Sequence, residues 1–317
     1  MTRLAVAIHH AALRVLDVDE ASARWARLLG LTAERVGRDA LLRCAHEDLA
    51  LRLMPAPDGT EPGIAYVAYE LPPGQELEMA RAALRRVGCD VKEVPMPVRD
   101  RGLELTDPDG NRIVLVERRR PADPRVAEWK HSDVLPGFHP RKLGHVNYLT
   151  EDVRTIVGWY EGTLGFRVTD WIGAEGCWLH VNADHHVVAF LEKGTRHIHH
   201  LAFELVDWGE MRVALDHLAQ HRRPIVWGPG RHGMARNLFT YFRMPEERLF
   251  VELFADLEQL PEDHVPRQYP DDPHTSNTWG TLPPRSYFRF DDEAIRSETL
   301  QLEARPDPKG HEQPCVG

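Results

Sequence analysis

A chain of 317 residues with 42% hydrophobic and 28% charged residues has the composition of a globular protein and can bury more than one core. Its net charge of −10 disfavours nucleic acid and anionic membranes as partners, and its longest apolar runs are strand-sized, which excludes a membrane-spanning helix. The start, MTRLAVAIHH, has too short an apolar run for a secretion signal, and four scattered cysteines (Cys44, Cys89, Cys177, Cys315) fit a reducing cytoplasm rather than a disulfide framework or a cysteine zinc site.

The first predicted element is a strand through His10, followed by an amphipathic helix with Val18, Ala21, Trp25 and Leu28 on one face. Short strands follow in ALLRCAHEDLALRLM. GIAYVAYEL is a second strand, the stripe Leu77, Ala80, Leu84 a second helix, and LELTDPDGNRIVLVE a closing hairpin. A charged, Pro-containing connector covers Glu117 to Arg141, and then the order begins again at His145. In both halves an Asp stands seven residues after the His (Asp17, Asp152) and a Gly twenty residues after it (Gly30, Gly165). Val153, Ile156, Val157, Tyr160 and Leu164 mark the next helix, GCWLHVNADHHVVAFLE its strands, and Met211, Ala214, Leu218 the last helix. LFTYFRMPEERLFVEL closes the second half as a hairpin. The reading is four βαβββ units in an α+β fold of two tandem domains. The expected divisions are 1–120 for the first domain, 121–142 for the linker, 143–256 for the second domain and 257–317 for an arm lying on it.

The stretch RHIHHLAFEL puts three histidines at the mouth of a strand. Neighbouring strand residues point to opposite faces, so His199 is expected on the apolar, helix-facing side with Leu201 and Phe203. His200 is expected on the concave side with Ala202 and Glu204. His145 holds a comparable place in KLGHVNYL, and Glu252 in RLFVELF is a carboxylate among apolar residues that needs a partner. A lone His at a strand start is ordinarily a hydrogen-bonded structural residue, and a lone strand-end acid is ordinarily solvated. Two histidines and a carboxylate on three strands of one half instead suit a facial triad for Fe(II), with positions left open for substrate and O2. The first half keeps only His10; Tyr66 stands for His200, and the counterpart of Glu252 falls near Leu115. No metal is therefore expected in the first domain.

With these motifs in view, the chain resembles two-domain extradiol catechol dioxygenases of the vicinal oxygen chelate superfamily from about His10 to Leu253, nearest to the homoprotocatechuate 2,3-dioxygenase branch. The resemblance implies iron ligands at His145, His200 and Glu252, with Mn(II) also compatible. It implies an acid–base histidine at His186 in DHHVVAF, and His232 and Tyr241 of GPGRHGMARNLFTYF as groups that hydrogen-bond the substrate oxygen. Asn147 and Trp178 would be pocket residues. The bland alternative makes His185 and His186 exposed hairpin residues. The family's habit implies a homotetramer, and the substrates a catechol and O2.

The pattern departs from that branch where its arginines would hold a substrate carboxylate: Trp227 precedes the GPGRHG loop, and Thr275 and Ser276 precede the tail's Trp-Gly. A buried anion without cationic partners binds poorly, so a neutral catechol is expected, with Trp227 as an apolar wall and Arg231 as the one nearby substitute cation. Other readings are a hydroquinone-type dioxygenase or glyoxalase-like isomerase of the same superfamily, and a metal-free small-molecule binder.

Overall fold

Each half of the chain runs twice through one strand, one helix and three strands. The first half contains β1 (Ala7–Val15), α1 (Val18–Leu29), β2 (Thr32–Val36), β3 (Asp39–Arg43) and β4 (Leu51–Pro55). It continues with β5 (Gly63–Glu70), α2 (Leu77–Arg86), β6 (Lys92–Pro95), β7 (Arg101–Thr106) and β8 (Arg112–Val116). The second half repeats the order with β9 (Lys142–Thr150), α3 (Val153–Trp159), β10 (Arg167–Ile172), β11 (Gly176–His180) and β12 (Val188–Glu192). Then come β13 (His197–Glu204), α4 (Trp208–Gln220), β14 (Ile225–Arg231), β15 (Leu238–Met244) and β16 (Leu249–Ala255). This computed structural model describes residues 3–47, 49–97, 101–118, 138–291, 293 and 296; most of the connector, the end of the tail and Cys315 lie outside them.

The repeated Asp and Gly have local causes. Asp17 and Asp152 are helix N-caps, accepting from the backbone N–H groups of Asp19 and Glu20 and of Thr155. Gly30 ends α1, and Gly165 ends the π-helical turn Tyr160–Leu164 that continues α3, both in the left-handed region, at φ 63° and 75°, where an L side chain is strained.

Two units join through an antiparallel central pair in each sheet. The first sheet runs β2-β3-β4-β1-β5-β8-β7-β6, and the second runs β14-β15-β16-β13-β9-β12-β11-β10. A short strand of the arm, β17 (Arg267–Tyr269), extends the second sheet in parallel beside β10. Its three residues have no apolar alternation, so it was not among the predicted elements. One face of each sheet packs on helices: Leu143, Val146, Leu201, Phe203, Val251 and Leu253 share a core with Val153, Ile156, Met211 and Leu218. Each such side chain contributes about 1.5–3 kcal/mol on burial. The other face is concave. Arg24 of α1 reaches across to Glu247, tying the halves together. Among the described residues no helix is long and apolar enough to cross a membrane.

One expectation from strand parity is corrected. Ile198 pairs with Tyr148 and His200 with Asn147, so His199 is the extra residue of a bulge. Both histidines therefore lie on the concave side, with the His199 ring stacked on Phe250 at 5.1 Å and 21° rather than on the helix core. In the first half, the register places Val114, next to Leu115 as expected, beside Ala68, at the position that Glu252 takes beside Ala202.

Candidate metal centre and active site

β13 lies between β9 and β16, and Ala202 pairs with His145 on one side and with Glu252 on the other. His200 stands two residues earlier on the same face. The small Ala202 leaves room between the ligands' strands. Gly144 opens the bulge that aims His145 inward, and a Cβ there would collide with the Phe254 ring. His145 Nε2 and His200 Nε2 lie 2.9 and 3.2 Å from the same oxygen, Glu252 Oε2. All three side chains are buried, and their donor atoms lie within 4.8 Å of one another. Asn237 Nδ2 donates to the other carboxylate oxygen at 3.1 Å and fixes its orientation.

The proton positions explain why this cluster fits a cation. His199 Nε2 is 2.7 Å from the Tyr287 carbonyl oxygen, which can only accept, so that nitrogen carries a proton. In the neutral ring, Nδ1 of His199 is then an acceptor for His200 Nδ1–H at 2.8 Å. His200 Nε2 consequently turns a lone pair toward a carboxylate oxygen. Two acceptors facing each other in a buried site lack a cation, and a divalent metal supplies it. Burial pushes His200 down to about 4, against the pull of Glu252. Burial would raise the Glu252 carboxyl, but His145 and His200 outweigh it and hold it well below the usual range. The set thus offers a neutral His200 imidazole and an ionised carboxylate beside the His145 ring, a donor set that suits Fe(II) and Mn(II).

Around the triad is a cavity of about 320 Å³. His186, His232, Tyr241, Asn147, Trp178 and Trp227 line it. His185 and His186 are buried, so neither is an exposed hairpin residue. The His186 ring lies 4.1 Å from that of His145. His232 Nδ1 donates to the Ser276 carbonyl at 2.7 Å, which leaves Nε2 to accept from the Tyr241 hydroxyl at 3.1 Å. Burial raises the Tyr241 phenol, the Glu252 charge raises it further, and so the oxygen keeps its proton. Among the described residues the amide oxygen of buried Asn147 has no hydrogen-bond partner. Trp227 stacks on Tyr241 at 5.3 Å and 12°, and its Nε1 donates to the Thr281 carbonyl. Arg231 is not brought into the cavity; its guanidinium lies 2.9 Å from Asp256.

The arm completes the site. Thr275 and Ser276 of α5 (Pro273–Ser276), with Leu282, Tyr287 and Phe288, form part of the cavity wall. Sequence reading missed Asn237, Tyr287 and the role of His199. The aromatic run SYFRF after PPR was the available signal for Tyr287, since such a run in an arm must cover something apolar. Asn237 sits outside any periodic element and gave no signal.

Residues 7–115 and 142–250 each match the Glyoxalase/Bleomycin resistance protein/Dioxygenase superfamily. Metapyrocatechase 2 of Cupriavidus necator is 27% identical over 269 residues, covering 80% of this chain and 82% of its own. The manganese-dependent 2,3-dihydroxybiphenyl 1,2-dioxygenase of Geobacillus genomosp. 3 is 24% identical over 265 residues, covering 78% and 84%. Homoprotocatechuate 2,3-dioxygenase from Brevibacterium fuscum superposes with a TM-score of 0.80 at 21% identity, covering 90% of this chain and 82% of that one, so the two share a fold.

Proposed function

Because the chain belongs to the Glyoxalase/Bleomycin resistance protein/Dioxygenase superfamily through both halves, we propose that it is a metal-dependent extradiol dioxygenase. It opens the aromatic ring of a catechol with O2 to a 2-hydroxymuconic semialdehyde-type product. The observation that carries this reading is the buried His145–His200–Glu252 cluster opening onto a cavity that also holds three proton-handling side chains. Iron(II) is the proposed metal, with manganese(II) the alternative. When bound, such a metal gathers both catechol oxygens and O2 at one centre and makes the coordinated hydroxyls easier to deprotonate.

The chain's own residues then handle protons and position. His186 takes a proton from the substrate and returns it as the ring opens. Tyr241 and His232, already hydrogen-bonded to each other, orient the substrate oxygen, and Asn147 offers its unpartnered amide. Trp178 and Trp227 hold the ring between apolar walls. In this reading residues 143–256 are the catalytic domain, 257–317 an arm over the cavity, and 1–120 a domain without a metal. A cytoplasmic homotetramer is the proposed form, checked by light scattering of the purified protein and fractionation of expressing cells.

The proposed substrate is a neutral catechol. Among the described residues lining the cavity the one Lys or Arg is Lys193, and it is paired with Glu175 at 3.0 Å. Asp271 adds a further carboxylate to a wall that already carries Glu175 and Glu252. A substrate carboxylate therefore meets more repulsion than attraction there. Mixing the iron-loaded protein with catechol in air is expected to give a yellow ring-opened product. An iron-loaded protein that leaves catechol, 3-methylcatechol and homoprotocatechuate all intact would remove the reading.

A further inference from the structure

We infer that Asp170 and His185 are positioning residues that fix the tautomer of His186, so that its ring meets the cavity with Nε2 unprotonated. This rests on the reading of His186 as the acid–base group. His185 and Asp170 are wholly buried. His185 Nε2 lies 2.8 Å from Asp170 Oδ2, and His185 Nδ1 lies 3.1 Å from His186 Nδ1. The chain of contacts runs from a carboxylate, through one imidazole, to the imidazole that lines the cavity.

The direction of each hydrogen bond follows from its fixed end. Asp170 receives the backbone N–H of Arg267 at 3.0 Å and the Arg267 guanidinium at 2.8–3.2 Å. His264 Nε2 stands 3.8 Å from Asp170 Oδ1, the oxygen that takes the Arg267 backbone N–H. Arg267 is held in turn by both oxygens of Glu258 at 2.9 and 2.7 Å. Burial raises the Asp170 carboxyl, but His185 and Arg267 outweigh it and keep it ionised. An ionised carboxylate only accepts, so the His185 proton sits on Nε2. Burial keeps that ring neutral despite Asp170, which leaves its Nδ1 as an acceptor. The donor facing it is His186 Nδ1–H, and His186 Nε2 is left with its lone pair. A carboxylate that selects the tautomer of a catalytic imidazole is a known device; here one more imidazole is inserted in the line.

The same arrangement occurs at the metal ligand. Tyr287 O fixes His199, His199 fixes His200, and Nε2 of His200 is freed to face Glu252. In both pairs an acceptor orients the first histidine of a His-His dipeptide, and the second presents Nε2 to the site. In both pairs the arm supplies an anchor: Tyr287 in one, Arg267 of β17 in the other. The backbone around His185 is held as well, since its N–H donates to the Glu258 carbonyl at 2.9 Å and its carbonyl accepts from Thr169 Oγ1 at 2.7 Å. Nothing in this environment lets the ring turn over without breaking the Asp170 contact.

The test reads the tautomer directly. In 15N-histidine-labelled, metal-free protein, long-range proton–nitrogen spectra are expected to show His186 protonated on Nδ1 and bare on Nε2, and His185 the reverse. A His186 protonated on Nε2 overturns the inference, whatever the activity. In the metal-loaded enzyme, His185→Leu is expected to lower kcat about 100-fold or more with KM for catechol and metal content within about threefold. His185→Asn, whose Oδ1 can replace the Nδ1 acceptor, is expected to recover kcat to within about tenfold of the wild type. Equal loss in the Leu and Asn variants counts against the relay, and so does a fall in metal content that accounts for the lost rate. His186→Ala separates the two readings: wild-type turnover in that variant removes the acid–base role of His186, while the spectrum still judges the tautomer relay on its own.

Discussion

Matched by place in the sheet rather than by order in the chain, β4-β1-β5 lies as β16-β13-β9 does, and the first sheet puts Arg52, His10 and Tyr66 where the second puts Glu252, His200 and His145. Ala12 of β1 pairs with Tyr66 and with Arg52, as Ala202 of β13 pairs with His145 and with Glu252. Both strands carry Ile-His-His and bulge at the first of the two histidines. The frames are the same; the charges are not. In the first sheet Arg52 donates to the Tyr66 hydroxyl at 3.0 Å, and that hydroxyl lies 3.1 Å from His10 Nε2. Arg52 is itself neutralised by Asp39 at 2.6 Å. The rest of that concave face is filled by Ala12, Ala68, Met96, Val114 and Val116. A cup whose centre already contains a cation and a phenol closes on itself. A cup whose centre is a carboxylate facing two imidazole nitrogens needs a cation from outside, and the fold leaves a cavity through which substrate can follow.

The comparison breaks most sharply at the ligands. His145→Ala, His200→Ala and Glu252→Ala should each lose tight metal binding and fall to background turnover while circular dichroism stays that of a folded protein. Near-normal iron content in any two of them would sink the assignment. Next in size, His186→Ala should keep metal and substrate affinity yet slow ring cleavage by about 100-fold or more, as expected for a lost acid–base group. Unchanged turnover would move the proton to water or to His232.

His199→Phe keeps the ring stack but removes the acceptor for His200 Nδ1–H. Metal affinity should fall by about 10–100-fold, measured by competition with a chelator. An unchanged affinity would return His199 to a packing role. Substrate charge sharpens the comparison inside the second cup: each missing bidentate contact to a carboxylate costs about 1.5–3 kcal/mol, or roughly tenfold to a hundredfold. Catechol or 3-methylcatechol should exceed homoprotocatechuate in kcat/KM, and Trp227→Arg, or Arg at both Thr275 and Ser276, should narrow the gap. Smallest of all, Tyr66→Phe in the first cup should cost about 1 kcal/mol of stability, with metal content and turnover untouched. A drop in metal content there would mean that the two cups are not independent.

Much of this site was legible in the chain because it follows repeat and periodicity. The paired Asp and Gly located the helix ends, and the second-half strands carried His145, His200 and Glu252 on one face. What strand parity could not carry was the bulge: one extra residue at His199 reverses the face that a regular strand would give it, and turns a packing residue into the support of a ligand. Long-range partners were equally hidden. Asp170 and His185 are 15 residues apart, and Arg267 lies a further 82 beyond His185. Nothing local in the sequence joins them; the parallel pairing of β17 with β10 does. Arg231 shows the converse. Its neighbourhood in sequence pointed to the substrate, while Asp256 offers it a partner outside the cavity.

The most direct measurement is the fate of isotopic oxygen. Catechol is incubated with the iron-loaded wild-type protein under 18O2, and the product is weighed by mass spectrometry. The expected result is a ring-opened product carrying both atoms of one O2 molecule, formed by the wild type and not by Glu252→Ala. A product with an intact ring, or a ring-opened product carrying no oxygen from 18O2, would contradict it.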